Sequence, residues 1–156
     1  MSGHNSPLGQ VAAPRAGIDP RGPRVGAALT AVLLVVAILL GPGAGTAVLA
    51  VVVASFLLGA VRGAQGTWQG LLFARFVRPR LAHQAELEAP EPPQFAQVVG
   101  LVITGVGLGL TLLGLTWALT VFGVLALVAA ALNALTGFCL GCEIYLLLRR
   151  FATART

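Results

Sequence analysis

The sequence predicts an all-α integral membrane protein: a four-helix bundle built from two parallel-repeat helical hairpins, each followed by a short interfacial helix. Three observations carry that expectation. Hydrophobic residues make up 57% of the 156 positions and charged residues only 10%, against about 25% charged in an ordinary soluble domain. The apolar residues fall into four uncharged stretches, at 25–40, 46–61, 98–115 and 117–136. Each is close to the roughly 20 residues that cross a 30 Å hydrocarbon core as a helix. The ten arginines all lie before, between or after these stretches, and the two tight turns, Gly41 to Gly45 and Gly114 to Thr116, carry none.

Taken in order, residues 1–17 are polar and rich in Pro and Gly, which predicts a disordered cytoplasmic tail. The segment Met1 to Arg24 is too long and too polar to be the n-region of a cleavable signal. The stretches 25–40 and 46–61 make a first hairpin, short enough that flanking residues are expected to join the helices or the bilayer to thin. Residues 62–97 read as a cytoplasmic linker. Within it Thr67 to Val77, carrying Trp68, Leu71, Leu72, Phe73 and Phe76, reads as a helix at headgroup level, with Arg75 interrupting its apolar arc. Leu81 to Gln97, with Glu86, Glu88, Glu91 and the Pro90-Glu91-Pro92-Pro93 cluster, reads as solvated chain. The stretches 98–115 and 117–136 make the second hairpin and complete a membrane domain over 18–151. Small residues four apart, Gly105 with Gly109 and Gly100 with Thr104, are candidates for close helix contact.

Orientation follows from charge. An Arg at a helix centre costs about 2.5–3.5 kcal/mol, and Arg is enriched on cytoplasmic loops. One topology satisfies Arg15, Arg21 and Arg24, then Arg62, Arg75, Arg78 and Arg80, then Arg149, Arg150 and Arg155: a multi-pass plasma membrane protein with both termini in the cytoplasm. Arg75, Arg78, Arg80, Arg149 and Arg150 are expected to hold lipid headgroups or to attract an anionic partner. The net charge of +5 and pI near 11.1 then report topology, and no nucleic-acid partner is expected.

Sliding the chain by 71 positions sets Gly66-Thr67-Trp68-Gln69-Gly70 over Gly137-Phe138-Cys139-Leu140-Gly141, and Arg78 over Arg149. This is either a parallel repeat about an axis along the membrane normal or a chance likeness of Leu- and Gly-rich segments.

One constellation carries chemistry. The two cysteines, Cys139 and Cys142, stand three apart, so a helical turn puts both sulfurs on one face, where a helix N-terminus favours a thiolate. Thr136 is the expected N-cap and Gly137 the expected break. Counting from Trp117 places the pair near the cytoplasmic interface, where a permanent structural disulfide is not expected and a dithiol, transient disulfide, persulfide or metal thiolate is. Glu143 is a candidate proton acceptor that would also raise the neighbouring thiol's pKa. The competing reading packs both cysteines as small hydrophobes. A zinc site would need a dimer sharing four thiolates, since one chain offers only the two thiols with Glu143, His83 and His4, whose distances the sequence does not fix, and no cofactor is implied. Asn133 and Thr136 are candidates for interhelical hydrogen bonds. With no phosphate loop, carboxylate pair or Ser/His/Asp pattern, a stand-alone enzyme is not expected.

The blocks Asp19-Pro20-Arg21-Gly22-Pro23-Arg24, Val77-Arg78-Pro79-Arg80-Leu81, Pro92-Pro93-Gln94-Phe95-Ala96-Gln97 and Leu132 to Glu143 resemble a bacterial, mainly actinobacterial, membrane family, domain of unknown function 4395. The resemblance implies four membrane helices and no assigned activity. Its relatives' frequent nearness to thioredoxin-like and rhodanese genes implies thiol or sulfur chemistry. The expected function is thiol–disulfide exchange or sulfur transfer by a cytoplasm-facing dithiol, with a thioredoxin-like or sulfurtransferase (rhodanese-like) partner in addition to the lipid bilayer. The alternative is a non-catalytic scaffold or small-solute permeation subunit, which would need oligomers for a path.

Overall fold

The computed structural model describes residues 17–82 and 86–155. Six helices follow one another: α1 Arg21–Leu40, α2 Ala44–Arg62, α3 Trp68–Leu72, α4 Glu91–Leu112, α5 Trp117–Thr136 and α6 Leu140–Ala154. A single turn of 3₁₀ helix, Ala64–Gly66, precedes α3, which runs on through a π turn, Phe73–Val77, and a 3₁₀ turn, Arg78–Arg80. The pyrrolidine of Pro79 has no N–H to give the turn before it, which accounts for the chain loosening there instead of continuing as α-helix. The expected tail, apart from Gly17, and His83 lie outside the described residues.

Helices α1, α2, α4 and α5 are each long and apolar enough to cross a membrane. They pack as a ring in which α1 touches α2 and α5, and α4 touches the same two helices. The bundle's outer surface is apolar: Leu39 is 81% exposed, Leu113 81% and Leu135 80%. In water so much apolar surface would be an aggregation hazard, whereas lipid accepts it. Leu34, Leu49, Val52 and Leu119 are fully buried at the centre.

Two helices start earlier than the apolar stretches suggest. Helix α1 begins at Arg21, whose N–H is accepted by Asp19 Oδ1 at 3.0 Å, a side-chain cap on a free helix end. Helix α4 begins at Glu91, inside the stretch read as linker, because Pro92 and Pro93 occupy the first turn, where no intrahelical N–H bond is lost. The chain before it is also tied down. Ile18 and Glu88 exchange backbone hydrogen bonds at 2.9 Å in both directions, and Ile18 is buried.

The 71-residue offset describes helices as well as letters. Shifted so, α1 falls on 92–111 within α4, α2 on 115–133 across α5, and the run from Trp68 to Arg80 on 139–151, from the N-cap of α6 onward. The contacts follow the same rule: α1 with α3 answers to α4 with α6, and α1 with α5 to α4 with α2. In both halves the short helix returns along its partner. Gln69 lies at Gly26 and Phe73 at Gly22, while Gly141 lies at Ala96 and Tyr145 at Phe95. Both short helices therefore run outward from the bundle at the end where α1 and α4 begin, the end that carries every described arginine.

Close helix contact uses a different register from the Gly105 to Gly109 spacing. A Cβ on either of those glycines would meet nothing within 4 Å, whereas one on Gly107 would stand 2.5 Å from the Cβ of Phe122, and Thr104 is fully buried. The inward stripe of α4 is Gly100, Thr104, Gly107 and Thr111, spaced 4, 3 and 4, the heptad rhythm of a helix seam. Gly107→Leu is therefore expected to lower stability by ~1–3 kcal/mol through overpacking, and Gly105→Leu by less than ~0.5 kcal/mol. Thermal unfolding in detergent measures both; equal losses would contradict this register.

Candidate functional site

The connection between α5 and α6 builds the site. Gly137 adopts φ +76° and ψ 4°, a left-handed conformation that suits glycine, and its N–H bonds Asn133 O at 2.9 Å to close α5. Arg24, from the start of α1, donates through Nη2 to Leu135 O at 3.4 Å. A cation there complements the negative end of the α5 dipole. The chain extends through Phe138 and Cys139, and α6 begins.

Cys139 is itself the N-cap of α6: its Sγ accepts the Cys142 N–H at 3.4 Å. This corrects the expectation for Thr136. That hydroxyl stays with α5, donating to Leu132 O at 2.6 Å and accepting from Phe138 N–H at 3.2 Å. Both bonds are local, one of them to the carbonyl four residues back, as is common for a threonine in a helix. Cys139 and Cys142 are joined in a disulfide with Cα atoms 5.2 Å apart, and both residues are half-buried.

Glu143 follows in the first turn of α6, exposed, where a carboxylate is favoured by the helix N-terminus. Among the described residues no group of three His, Cys, Asp or Glu could hold a metal ion. Arg75, Arg78, Arg80, Arg149 and Arg150 are exposed on the two short helical runs. Arg149 Nη1 donates to the Tyr145 hydroxyl at 3.3 Å. That hydrogen bond, then the phenol's charge and more weakly Glu91, holds the Arg149 guanidinium above its ordinary pKa.

Helix α6 is held against α4 at a crossing with no spare room. A Cβ on Gly141 would stand 2.6 Å from both Cα and Cβ of Ala96, so glycine admits the backbones, and the Phe95 and Tyr145 rings meet one turn further out at 5.6 Å.

Behind the disulfide lies a cavity of about 340 Å³ whose walls include Cys139, Gln69, Gln97, Asn133, Thr30 and Ser55. Asn133 is thus part of the cavity wall. The sequence pattern singled out the cysteines and Asn133 but missed Gln69, Gln97, Thr30 and Ser55. Uncharged polar residues in apolar segments were the available signal, and Gln69, inside an uncharged turn, was visible only as part of the repeat. Trp68 Nε1 donates to Ser55 Oγ at 2.6 Å, which fastens α3 over this end of the bundle.

Gly141→Ala is expected to push α6 off α4 and to cost ~1–3 kcal/mol, read as a lower melting temperature. It should also change the rate at which the disulfide is reduced. A variant with unchanged melting and reduction rate would show that the crossing does not hold the site.

No curated protein and no solved structure matches the chain. The family described as Domain of unknown function (DUF4395) matches residues 18–150, most of the sequence, and the chain belongs to that family.

Proposed function

We propose that the protein is a membrane-anchored thiol–disulfide exchange protein, with Cys139 as the attacking and attacked sulfur and Cys142 as the resolving one. The observation that supports this most directly is the Cys139–Cys142 disulfide at the first turn of α6, half-buried at the arginine-bearing end of the bundle. A packed pair of inert cysteines would have no need of that position.

The chemistry follows from the cap. A partner thiolate attacks Cys139 Sγ, forming a mixed disulfide and releasing Cys142 as thiolate; the partner's second thiolate then attacks its own sulfur in that bond and releases Cys139. Two electrons and two protons pass in all. The free Cys139 thiolate is stabilised by the Cys142 N–H and the α6 dipole. Glu143 is placed to exchange a proton with Cys142 through solvent. The partner is a soluble thioredoxin-like or rhodanese-like protein; with the latter, the reduced Cys139 thiolate attacks the outer sulfur of the partner's persulfide, takes it up as a Cys139 persulfide and releases the partner's thiolate.

The cytoplasm is the proposed side, because positive-inside bias places the arginine-bearing end there. Arg75, Arg78, Arg80, Arg149 and Arg150 would bind headgroup phosphates around the pair.

After mild reduction, a bulky membrane-impermeant maleimide is expected to label inside-out vesicles and leave right-side-out vesicles unlabelled, and to react faster at Cys139 than at Cys142. Labelling only from the outer face would reverse the topology. Labelling only after denaturation, with the Cys139→Ser/Cys142→Ser protein fully functional, would leave the scaffold or permeation reading.

A further inference from the structure

The two ends of the bundle are built differently. Toward the tight turns the interior is closed by Leu34, Leu49, Val52 and Leu119. Toward the arginines it is hollow: the 340 Å³ cavity is bounded by the first halves of α1 and α4, the second halves of α2 and α5, and the starts of α3 and α6. That volume lies within the roughly 300–1,000 Å³ of small-molecule sites.

The lining decides which molecules fit. Phe56, Val99, Ile103, Leu125, Ala129 and Ile144 make most of the wall apolar, and among the described residues no Asp, Glu, Arg or His lines it. A formal charge brought there would meet no counter-charge, at a cost of several kcal/mol. Nicotinamide and flavin nucleotides, glutathione and sulfur oxyanions are disfavoured on that ground. A neutral, largely apolar molecule with a few hydrogen-bonding atoms is favoured.

Gln69 specifies those atoms. The residue is 4% exposed, and its Oε1 is buried with no hydrogen-bond partner, while Nε2 reaches Thr30 Oγ1 at 3.5 Å. Rotating the carboxamide exchanges the orphan oxygen for an orphan NH2, so one polar atom is unmatched in either orientation. Buried polar atoms are nearly always paired. A carboxamide can receive a hydroxyl through its oxygen or serve a carbonyl through its NH2, and Gln97 and Asn133 add two more such groups to the walls.

From these we infer that the cavity holds the head group of a membrane quinone, and that the quinone takes two electrons from the reduced Cys139/Cys142 pair. Quinones are the neutral, lipid-soluble class of two-electron carrier, and their carbonyl and hydroxyl forms match the two faces of a carboxamide. The electron-transfer half of this inference rests on the exchange activity proposed above; the binding half does not. The Cys139 thiolate adds to a ring carbon of the quinone. Cys142 then attacks Cys139 Sγ, the C–S bond breaks as the S–S bond forms, and the electron pair stays on the ring. The two thiol protons end on the ring oxygens, giving one disulfide and one quinol.

The test uses the full chain in lipid nanodiscs with duroquinone, whose ring has no open position for irreversible arylation of thiols. Trp68, bonded to Ser55 on the cavity wall, reports occupancy by fluorescence. The Cys139→Ser/Cys142→Ser variant is expected to show saturable quenching. Adding Gln69→Leu should weaken it about tenfold, the worth of one buried hydrogen bond; Gln97→Leu on α4 replaces it if that variant fails to fold. The reduced native protein should form one duroquinol for each pair of thiols lost. Quenching that never saturates and is equal in all variants would overturn the site, leaving water as its occupant. Saturable binding without thiol loss would overturn the electron transfer. Quinone reduction that persists while no soluble dithiol exchanges with the pair would remove the proposed soluble partner and support the quinone link.

Discussion

A peptide group in hydrocarbon has no water to bond and costs several kcal/mol if left unpaired. The chain can therefore leave the helix only where it reaches an interface. At the end with the tight turns it does so in the fewest residues, through Gly41 to Gly43 between α1 and α2 and around Gly114 between α4 and α5. Everything irregular is gathered at the other end: the Ile18–Glu88 pairing, the π and 3₁₀ turns after α3, and the Gly137 break. Within the bundle, the hydroxyls of Ser55, Thr104 and Thr111 return to carbonyls four residues back, so these buried polar groups need no solvent. Gln69 differs because it enters from α3, outside the spanning helices, and brings a carboxamide that no nearby carbonyl or hydroxyl fully satisfies.

The repeat explains why a cysteine stands at a helix cap. In the first half Thr67 caps α3, its Oγ1 accepting the Gly70 N–H at 3.0 Å. In the second half Cys139 caps α6, and its Sγ accepts the Cys142 N–H. The same local geometry is filled once by a hydroxyl, which only caps, and once by a sulfur, which caps and is also joined to Cys142. Ser, Thr, Asp and Asn are the usual residues there because oxygen is the better acceptor. A sulfur in that place gives up some capping strength and gains the N–H groups that favour a thiolate.

Much of this was legible in the sequence, and the reasons differ by feature. The four spanning helices are written in composition and charge, since lipid forbids most alternatives. The true starts of α1 and α4 were hidden by Pro and charged residues, which hydropathy counts against a helix although they suit its first turn. The seam of α4 was legible in part: Gly100 and Thr104 lie on it, but spacing four is blind to direction, and Gly105 and Gly109 satisfy it while facing open space. The disulfide partners were legible from the three-residue spacing, but not the cap. Sliding by 71 aligns the glycines, whereas Thr67 and Cys139 are 72 apart, the extra residue being absorbed in the Gly137 to Cys139 connection. The cavity was not legible at all, because six helices supply its walls.

Cys139 lies on the boundary between two environments of opposite character. Inward is a chamber lined, among the described residues, by no charged side chain; outward are exposed arginines and Glu143. On the inference drawn above, desolvation would turn charged molecules away from the chamber, while neutral apolar ones would partition into it from lipid. On the proposed reading, the sulfur pair at this boundary would meet two reactants that never meet each other. The crossing at Gly141 sets how far the first turn of α6 stands from α4, and Arg24 ties the connection before it to α1. The position of the pair between chamber and rim is thus set by helix packing in both halves of the repeat. For that reason a residue as remote from sulfur chemistry as Ala96 belongs to the site's architecture.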